Sequence, residues 1–267
     1  MSARKVLTHP GQFWTGCMTP ESTRVRDYLL GGKDNYISDR EAGTRLSNVF
    51  PAMQQHVRAA NWFHRWACTY LAKQGAAQFL DIGAGFPSPT DTHLAVRGIN
   101  PDATVLYVDA DRFVAAHRRA LSCDEHTKAV EAALADTGAL IDHVRDSGFL
   151  DFQDPIVLSI GGWVLEQLPD AAAAVRELSA AIVPGSWLVI SHLVTDPDEQ
   201  LAEHIGAECR LWMPEFHPRS IGEIETIVAE YTLLDPGIIA PQGWAENVSD
   251  YPETLCRSAI GRLGMSP

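Results

Sequence analysis

Two carboxylates and two glycines at fixed spacing carry the chemistry of this chain. They are Asp81, Gly83 and Gly85 in AQFLDIGAGFP (77 to 87), and Asp109 in TVLYVDAD (104 to 111). Phe79, Leu80 and Ile82 make an apolar run of strand length, which the glycines break. A strand that ends in such a turn lets backbone approach a ligand where a Cβ would intrude. Asp81 stands inside the run, where an apolar side chain is the default. Asp109 closes a second β-branched and aromatic run, 24 positions on from residue 85. That is close to the ~20 residues at which a βαβ unit delivers a carboxylate to ribose hydroxyls.

The D-x-G-x-G pattern suits a nucleoside whose tail is charged but carries no phosphate. A dinucleotide calls for G-x-G-x-x-G, with its third glycine where the next helix packs. Here Phe86, Pro87, Ser88 and Pro89 follow Gly85. The residues therefore point to S-adenosylmethionine (SAM) and its product S-adenosylhomocysteine (SAH), and away from a nicotinamide-dependent oxidoreductase. Asp136, just past a third strand, is placed to accept from the exocyclic amine of adenine, to cap the next helix, or both. Gly161 and Gly162 end a fourth strand. With Ala84 and Ala110 completing the two turns, the expected cofactor contacts are Asp81, Gly83, Ala84, Gly85, Asp109, Ala110, Asp136 and Gly161.

Two titratable residues stand near the strand ends on the far side, His192 and Glu166, and either is a candidate base. Each also reads as structural, His192 closing a strand and Glu166 occupying a turn. A sulfonium is already activated for in-line methyl transfer, so positioning and desolvation suffice and no catalytic motif is required. No P-loop, Ser-His-Asp order or metal-ligand cluster is present in the sequence, and no metal is expected.

These residues need an alternating scaffold. Strands are expected at 77–82, 104–109, 128–134, 155–160, 186–191, 231–240 and 255–263. Helices are expected near 89–97, 112–122, 137–147, 169–182, 197–211 and 219–230. Such alternation specifies an α/β fold with a doubly wound, mostly parallel seven-stranded sheet and right-handed crossovers. Residues 75–267 read as one compact unit. Residues 1–74 read as an extension, with a loose arm over 1–22 and then a helical cap. Val25, Tyr28 and Leu29 have helical spacing, and Gly31–Gly32 stops them. The polar run Lys33, Asp34, Asn35, Asp39 and Arg40 suits a loop reaching for a ligand or a capped helix with a solvated turn. Helices over 41–74 break at Pro51, and the stripe of Trp62, Phe63, Trp66, Tyr70 and Leu71 reads as core packing.

The 267 residues are 46% hydrophobic, enough for one sizeable core, and the net charge is −13. That acidity disfavours a nucleic-acid partner, which calls for a lysine and arginine surface. His117, Arg118 and Arg119 read as a solvated helix face. Five cysteines, odd in number and without a C-x-x-C pair, read as buried hydrophobes in a reducing compartment. The N-terminus lacks the apolar core of a signal peptide and no run approaches the ~18 apolar residues of a membrane span. A cytoplasmic enzyme for a small-molecule acceptor is expected, without a membrane partner. A homodimer is admitted but not required.

RVRDYLLGGKDNYISDR, Asn61 and Phe63, AQFLDIGAGFP, LYVDAD and PGSWLVISH together resemble the actinobacterial SAM-dependent methyltransferase family long catalogued as a domain of unknown function. The likeness runs from about residue 20 to the C-terminus. It implies a class I methyltransferase (Rossmann-like) fold, with SAM held by Gly83, Gly85, Asp109 and Asp136. It also implies that the segment from Tyr28 to Asn35 folds over cofactor or substrate, with Tyr28 a further expected cofactor contact. Relatives carry T-G-L-P where Ala84 to Pro87 stand, arginine at Trp62, and a His-Phe pair where Val164 to Gln167 stand. The last difference keeps in play a module that binds SAM or SAH without catalysis.

Overall fold

The structure is a computed structural model and describes residues 19–196, 198–245 and 255–264. Three helices come first: α1 (Ser22–Leu30), α2 (Ile37–Val49) and α3 (Met53–Lys73). Gly31 ends α1 in the left-handed region, φ 88°, as an αL cap. The break at Pro51 separates α2 from α3 as expected. Ser22 already belongs to α1, and residues 1–18 of the expected arm lie outside the described residues.

The strands are β1 (Gln78–Ile82), β2 (Thr104–Asp109), β3 (Thr127–Glu131), β4 (Val157–Ile160), β5 (Trp187–Leu193), β6 (Tyr231–Leu233) and β7 (Cys256–Leu263). Between and after them run α4 (Thr92–Arg97), α5 (Arg112–Leu121), α6 (Thr137–Asp146), α7 (Ala171–Ala180), α8 (Glu199–Arg210) and α9 (Ile221–Ile227). The sheet order is β3-β2-β1-β4-β5-β7-β6, parallel except for β7, which pairs antiparallel with β5 and β6. The order reverses direction between β1 and β4, the position at which such sheets bind ligands.

Strand alternation divides the core. Leu80, Ile82, Leu106, Leu158 and Ile190 face α6, α7 and α9. Phe79, Val105, Tyr107, Val157, Val189 and Ile260 face α3, meeting Phe63, Ala67 and Leu71. Asp81 has the parity of Phe79, so it opens on the α3 side, between Tyr107 of β2 and Ser159 of β4. A further cluster packs α1 and α2 on α8, with Leu46, Met53, Trp163 and Phe216 buried. Trp62, Trp66 and Tyr70 stack along α3 beside Trp244, as packing residues.

Some boundaries differ from the sequence expectation. β6 covers only the first part of 231–240, because Pro236 and Gly237 follow in a turn. β3 stops at Glu131 instead of 134, and α9 is shorter at both ends than 219–230.

Candidate functional site

A cavity of about 410 Å³ lies beyond the C-terminal ends of β1, β4 and β5. Its floor is the glycine turn with Asp81, Gly161 and Gly162; α1 supplies Thr23, Arg26 and Asp27, and α3 supplies His56, Asn61 and His64. On the far side Trp163, Glu166, Leu193 and Cys256 form the wall. Gly162 (φ 72°) and Trp163 (φ 62°) are consecutive left-handed residues that turn the chain after β4. A non-glycine residue there is uncommon.

Gly83 adopts φ 77°, and a Cβ on it would lie 2.5 Å from the Gly161 carbonyl oxygen and from Val164. The two turns thus close on each other with no room for a side chain. Gly85, φ 79°, faces more open space, with Thr23 3.5 Å from the Cβ position. The turn is held from behind by Arg118 of α5. Its Nε donates to Gly85 O, its Nη2 to Ala84 O and Phe86 O, and its guanidinium pairs with Asp91 at 3.2 Å while lying 3.9 Å over the Tyr107 ring. Arg118 is 1% exposed, so the solvated face expected at 117–119 holds for Arg119 but not for Arg118. A buried arginine there satisfies carbonyls that a tight glycine turn leaves without internal partners.

Asp81 is buried and accepts from Thr92 Oγ1 at 2.6 Å, and burial pushes its carboxyl upward. Asp109 ends β2 as expected, but its carboxylate already accepts from Asp111 N–H (2.9 Å), Gly85 N–H (3.3 Å) and Thr23 Oγ1 (3.5 Å). It stands behind the cavity lining, not in it. Glu21 at the start of α1 is pushed up to about 7 by burial and by the negative charges of Asp109 and Asp111. Arg24 clamps the same helix end, pairing with Asp39 at 3.1 Å and Asp111 at 2.9 Å. Ala110 is exposed. Asp136 is also exposed, and it caps α6 by accepting from Ala139 N–H at 3.1 Å. Neither lines the cavity.

Arg26 of α1 is buried, and its Nη1 donates to Gly83 O at 3.1 Å. Tyr28 lies two positions further round α1 and points away. Its ring lies against Gly43, where a Cβ would meet it at 2.5 Å, and its hydroxyl is 3.3 Å from Thr44 Oγ1. Tyr28 therefore packs α1 on α2 and stands outside the cavity. The loop after α1 is latched by Asp27, which accepts from Asp34 N–H and Asn35 Nδ2, both at 2.8 Å. A Cβ at Gly32 would run into that carboxylate. The segment is thus a capped turn that also brings Lys33 and Asp34 to the cavity rim.

His192 donates from Nδ1 to Leu193 O (2.7 Å) and accepts at Nε2 from Arg219 (2.8 Å). Its ring lone pair is already used and burial pushes its pKa down, so it is not free to take a proton. Glu166 accepts at Oε1 from Leu193 N–H (2.9 Å), while Oε2 has no partner among the described residues. His64 spans the floor, with Nδ1 2.9 Å from Ser159 Oγ and Nε2 2.8 Å from Ser191 Oγ. Burial, then Arg26, drives its pKa down to about 3, so it stays neutral. Arg26, His64, Thr92 and Arg118 escaped the sequence reading. Their partners are backbone carbonyls and residues far along the chain, and only the R-V-R-D-Y stretch around Arg26 carried a local signal.

The comparisons with known proteins agree with this geometry. A family model described as S-adenosyl methyltransferase matches residues 15–265. A DUF574 family protein of Streptomyces avermitilis is 28% identical, with TM-score 0.85, covering 92% of this chain and 98% of that one. A candidate methyltransferase of Thermobifida fusca is 29% identical, with TM-score 0.87, covering 98% and 100%. The plantazolicin methyltransferase BpumL, solved with SAH, is 12% identical with TM-score 0.51 over 91% and 96%, a likeness of fold alone. No curated protein matches the chain. Matched over nearly all its length and folded as a seven-stranded class I sheet, the chain belongs to the S-adenosyl methyltransferase family and is a SAM-dependent methyltransferase.

Proposed function

We propose that the methyl acceptor is a small molecule received in the roofed cavity. One observation carries this: the cavity runs continuously from the glycine turn to the wall of Trp163, Glu166, Leu193 and Cys256, beneath α1 and α3. A site walled in this way fits a compact ligand. The net charge of −13 gives no support for a polyanionic acceptor.

The chain's residues fit the cofactor. Gly83, Ala84, Gly85 and Gly161 supply close backbone, and Asp81 supplies a carboxyl beside the turn. Asp109 and Ala110 at the end of β2, and Asp136 at the start of α6, are assigned to the nucleoside, which then extends past the cavity lining, with Thr23 the weakest of the Asp109 contacts to be exchanged for a ribose hydroxyl. SAM supplies an activated methyl group. The protein then excludes water with α1, α2 and α3, and holds the acceptor. The free oxygen of Glu166 takes the acceptor's N–H or O–H, while His192, tied to Arg219, braces the wall. Residues up to 74 act as the cap and the remainder as the transferase unit. Buried thiols at Cys68, Cys209 and Cys256 fit a cytoplasmic setting, and no described helix is long and apolar enough to cross a membrane.

The test supplies methyl-labelled SAM to the enzyme with a whole-cell extract and then separates protein, nucleic acid and low-mass fractions. Label in the low-mass fraction is expected. Label confined to nucleic acid or protein would overturn the small-molecule reading.

A further inference from the structure

Arg26 is a buried cation with unfinished bonding. It is 7% exposed, lines the cavity, and makes one hydrogen bond among the described residues, from Nη1 to Gly83 O. No carboxylate lies within ion-pair distance of it among those residues, whereas Arg24 and Arg118, equally buried, are each paired. A guanidinium has five N–H donors, and leaving most of them unpaired in a dry site is costly. The surroundings are shaped for this group. A Cβ on Gly162 would clash with the guanidinium, 2.4 Å from Arg26 Nη1, so the second glycine after β4 clears its seat. Gly83, whose carbonyl it holds, is the first glycine of the turn. Burial pulls its pKa below the usual arginine value, and Asp109, Glu166, Asp81 and Glu21 oppose that pull from a distance.

We infer that Arg26 is an anion anchor, taking a carboxylate, and that the carboxylate is the one on the amino-acid tail of the cofactor. A planar fork facing the cavity matches a carboxylate bidentately. An acceptor's carboxylate has the same chemistry, but Arg26 sits on the glycine turn and Gly162, next to Asp81, not on the wall of Trp163, Leu193 and Cys256. Thr23 and Arg26 are three positions apart on α1, so they share one face. Thr23 reaches Asp109, and Arg26 reaches the turn. The tail anchor therefore belongs to the helix that roofs the site, and cofactor binding at Arg26 seats that helix on the glycine turn. This rests on the SAM site described above.

Calorimetry with two ligands tests it. SAH carries the tail, and 5′-methylthioadenosine keeps the nucleoside and thioether without it. Arg26→Gln should weaken SAH roughly 10- to 100-fold, the range of a lost charge-assisted hydrogen-bond pair. Methylthioadenosine should stay within about threefold of wild type. Arg26→Lys should fall between, since it keeps the charge and loses the fork. On the unaltered protein, the α-methyl ester of SAH should show the same loss, which needs no variant to fold. Undiminished SAH or ester affinity would overturn the assignment. So would an equal loss for SAH and methylthioadenosine, which would make Arg26 a shaper of the site, not a tail anchor. Wild-type protein that binds neither ligand would sink the cofactor site itself along with the anchor.

Discussion

Replacing Arg118 by Met should unsettle the glycine turn while keeping side-chain volume. Arg118 spans Asp91 and three carbonyls, at Ala84, Gly85 and Phe86, and lies over Tyr107. Asp91 is only 7% exposed, so the variant leaves a buried carboxylate without its cation, a change that typically costs about 3–5 kcal/mol. Loss of the contact with Tyr107 adds about 1 kcal/mol. Water entering behind the turn returns part of the carbonyl bonding, so a net loss of about 4 kcal/mol is expected. For a protein stable by about 5–15 kcal/mol that is a large fraction. Urea unfolding followed by tryptophan fluorescence reads it. Adding Asp91→Asn to the variant removes the stranded charge and should recover about 2 kcal/mol. A single variant within about 1 kcal/mol of wild type, or a double variant whose losses simply add, would refute the keystone role of Arg118.

The two glycines of the turn should respond unequally. Gly83→Ala, with φ 77° and a clash at 2.5 Å, should cost about 3 kcal/mol or more, whereas Gly85→Ala, with φ 79° and open space, should cost about 1 kcal/mol. Equal losses in thermal unfolding would contradict the described packing. Glu21 should make stability fall with rising pH: its folded pKa of about 7 exceeds the ordinary 4.5, so the folded state holds the proton that the unfolded chain has released. The contribution is complete below about 4.5 and lost by about 7, a span of about 3 kcal/mol. Glu21→Gln should therefore gain on wild type between those limits, and parallel urea midpoints across pH 5 to 8 would rule this out.

Much of the scaffold was legible because it is local. The runs at 79–82 and 104–109 alternate with helical periods, and Gly31 and Pro51 stop helices by backbone chemistry that acts within a few residues. The expected strand over 231–240 shrinks to Tyr231–Leu233 because Pro236 and Gly237 turn the chain between two apolar runs. Site residues divide in the same way. Asp81 and Gly83 announce themselves by type and position, whereas Arg118 looks like any charged helix residue until folding brings three carbonyls to it. His64 lies beside the aromatic stripe of α3 in sequence, and only the sheet sets Ser159 and Ser191 on either side of it. Tyr28 was distinctive by its motif, but helix rotation turns it to α2 and gives the cavity Arg26 instead.

The place of β7 has a consequence for biosynthesis. β7 pairs with β5 from Trp187 to Leu193 along its length and is the neighbour of β6 in the sheet, yet it comes after both in the sequence. While the chain emerges from the ribosome, β1 to β4 find their neighbours early. β5 meanwhile presents an apolar edge of unsatisfied backbone groups, a hazard for association between nascent chains. Ser191, His192 and Leu193 sit on that same strand, and Cys256 arrives only with β7. The wall of Leu193 and Cys256 is thus the last part of the pocket to be assembled, and a partly synthesised chain can build the glycine turn well before it closes that wall.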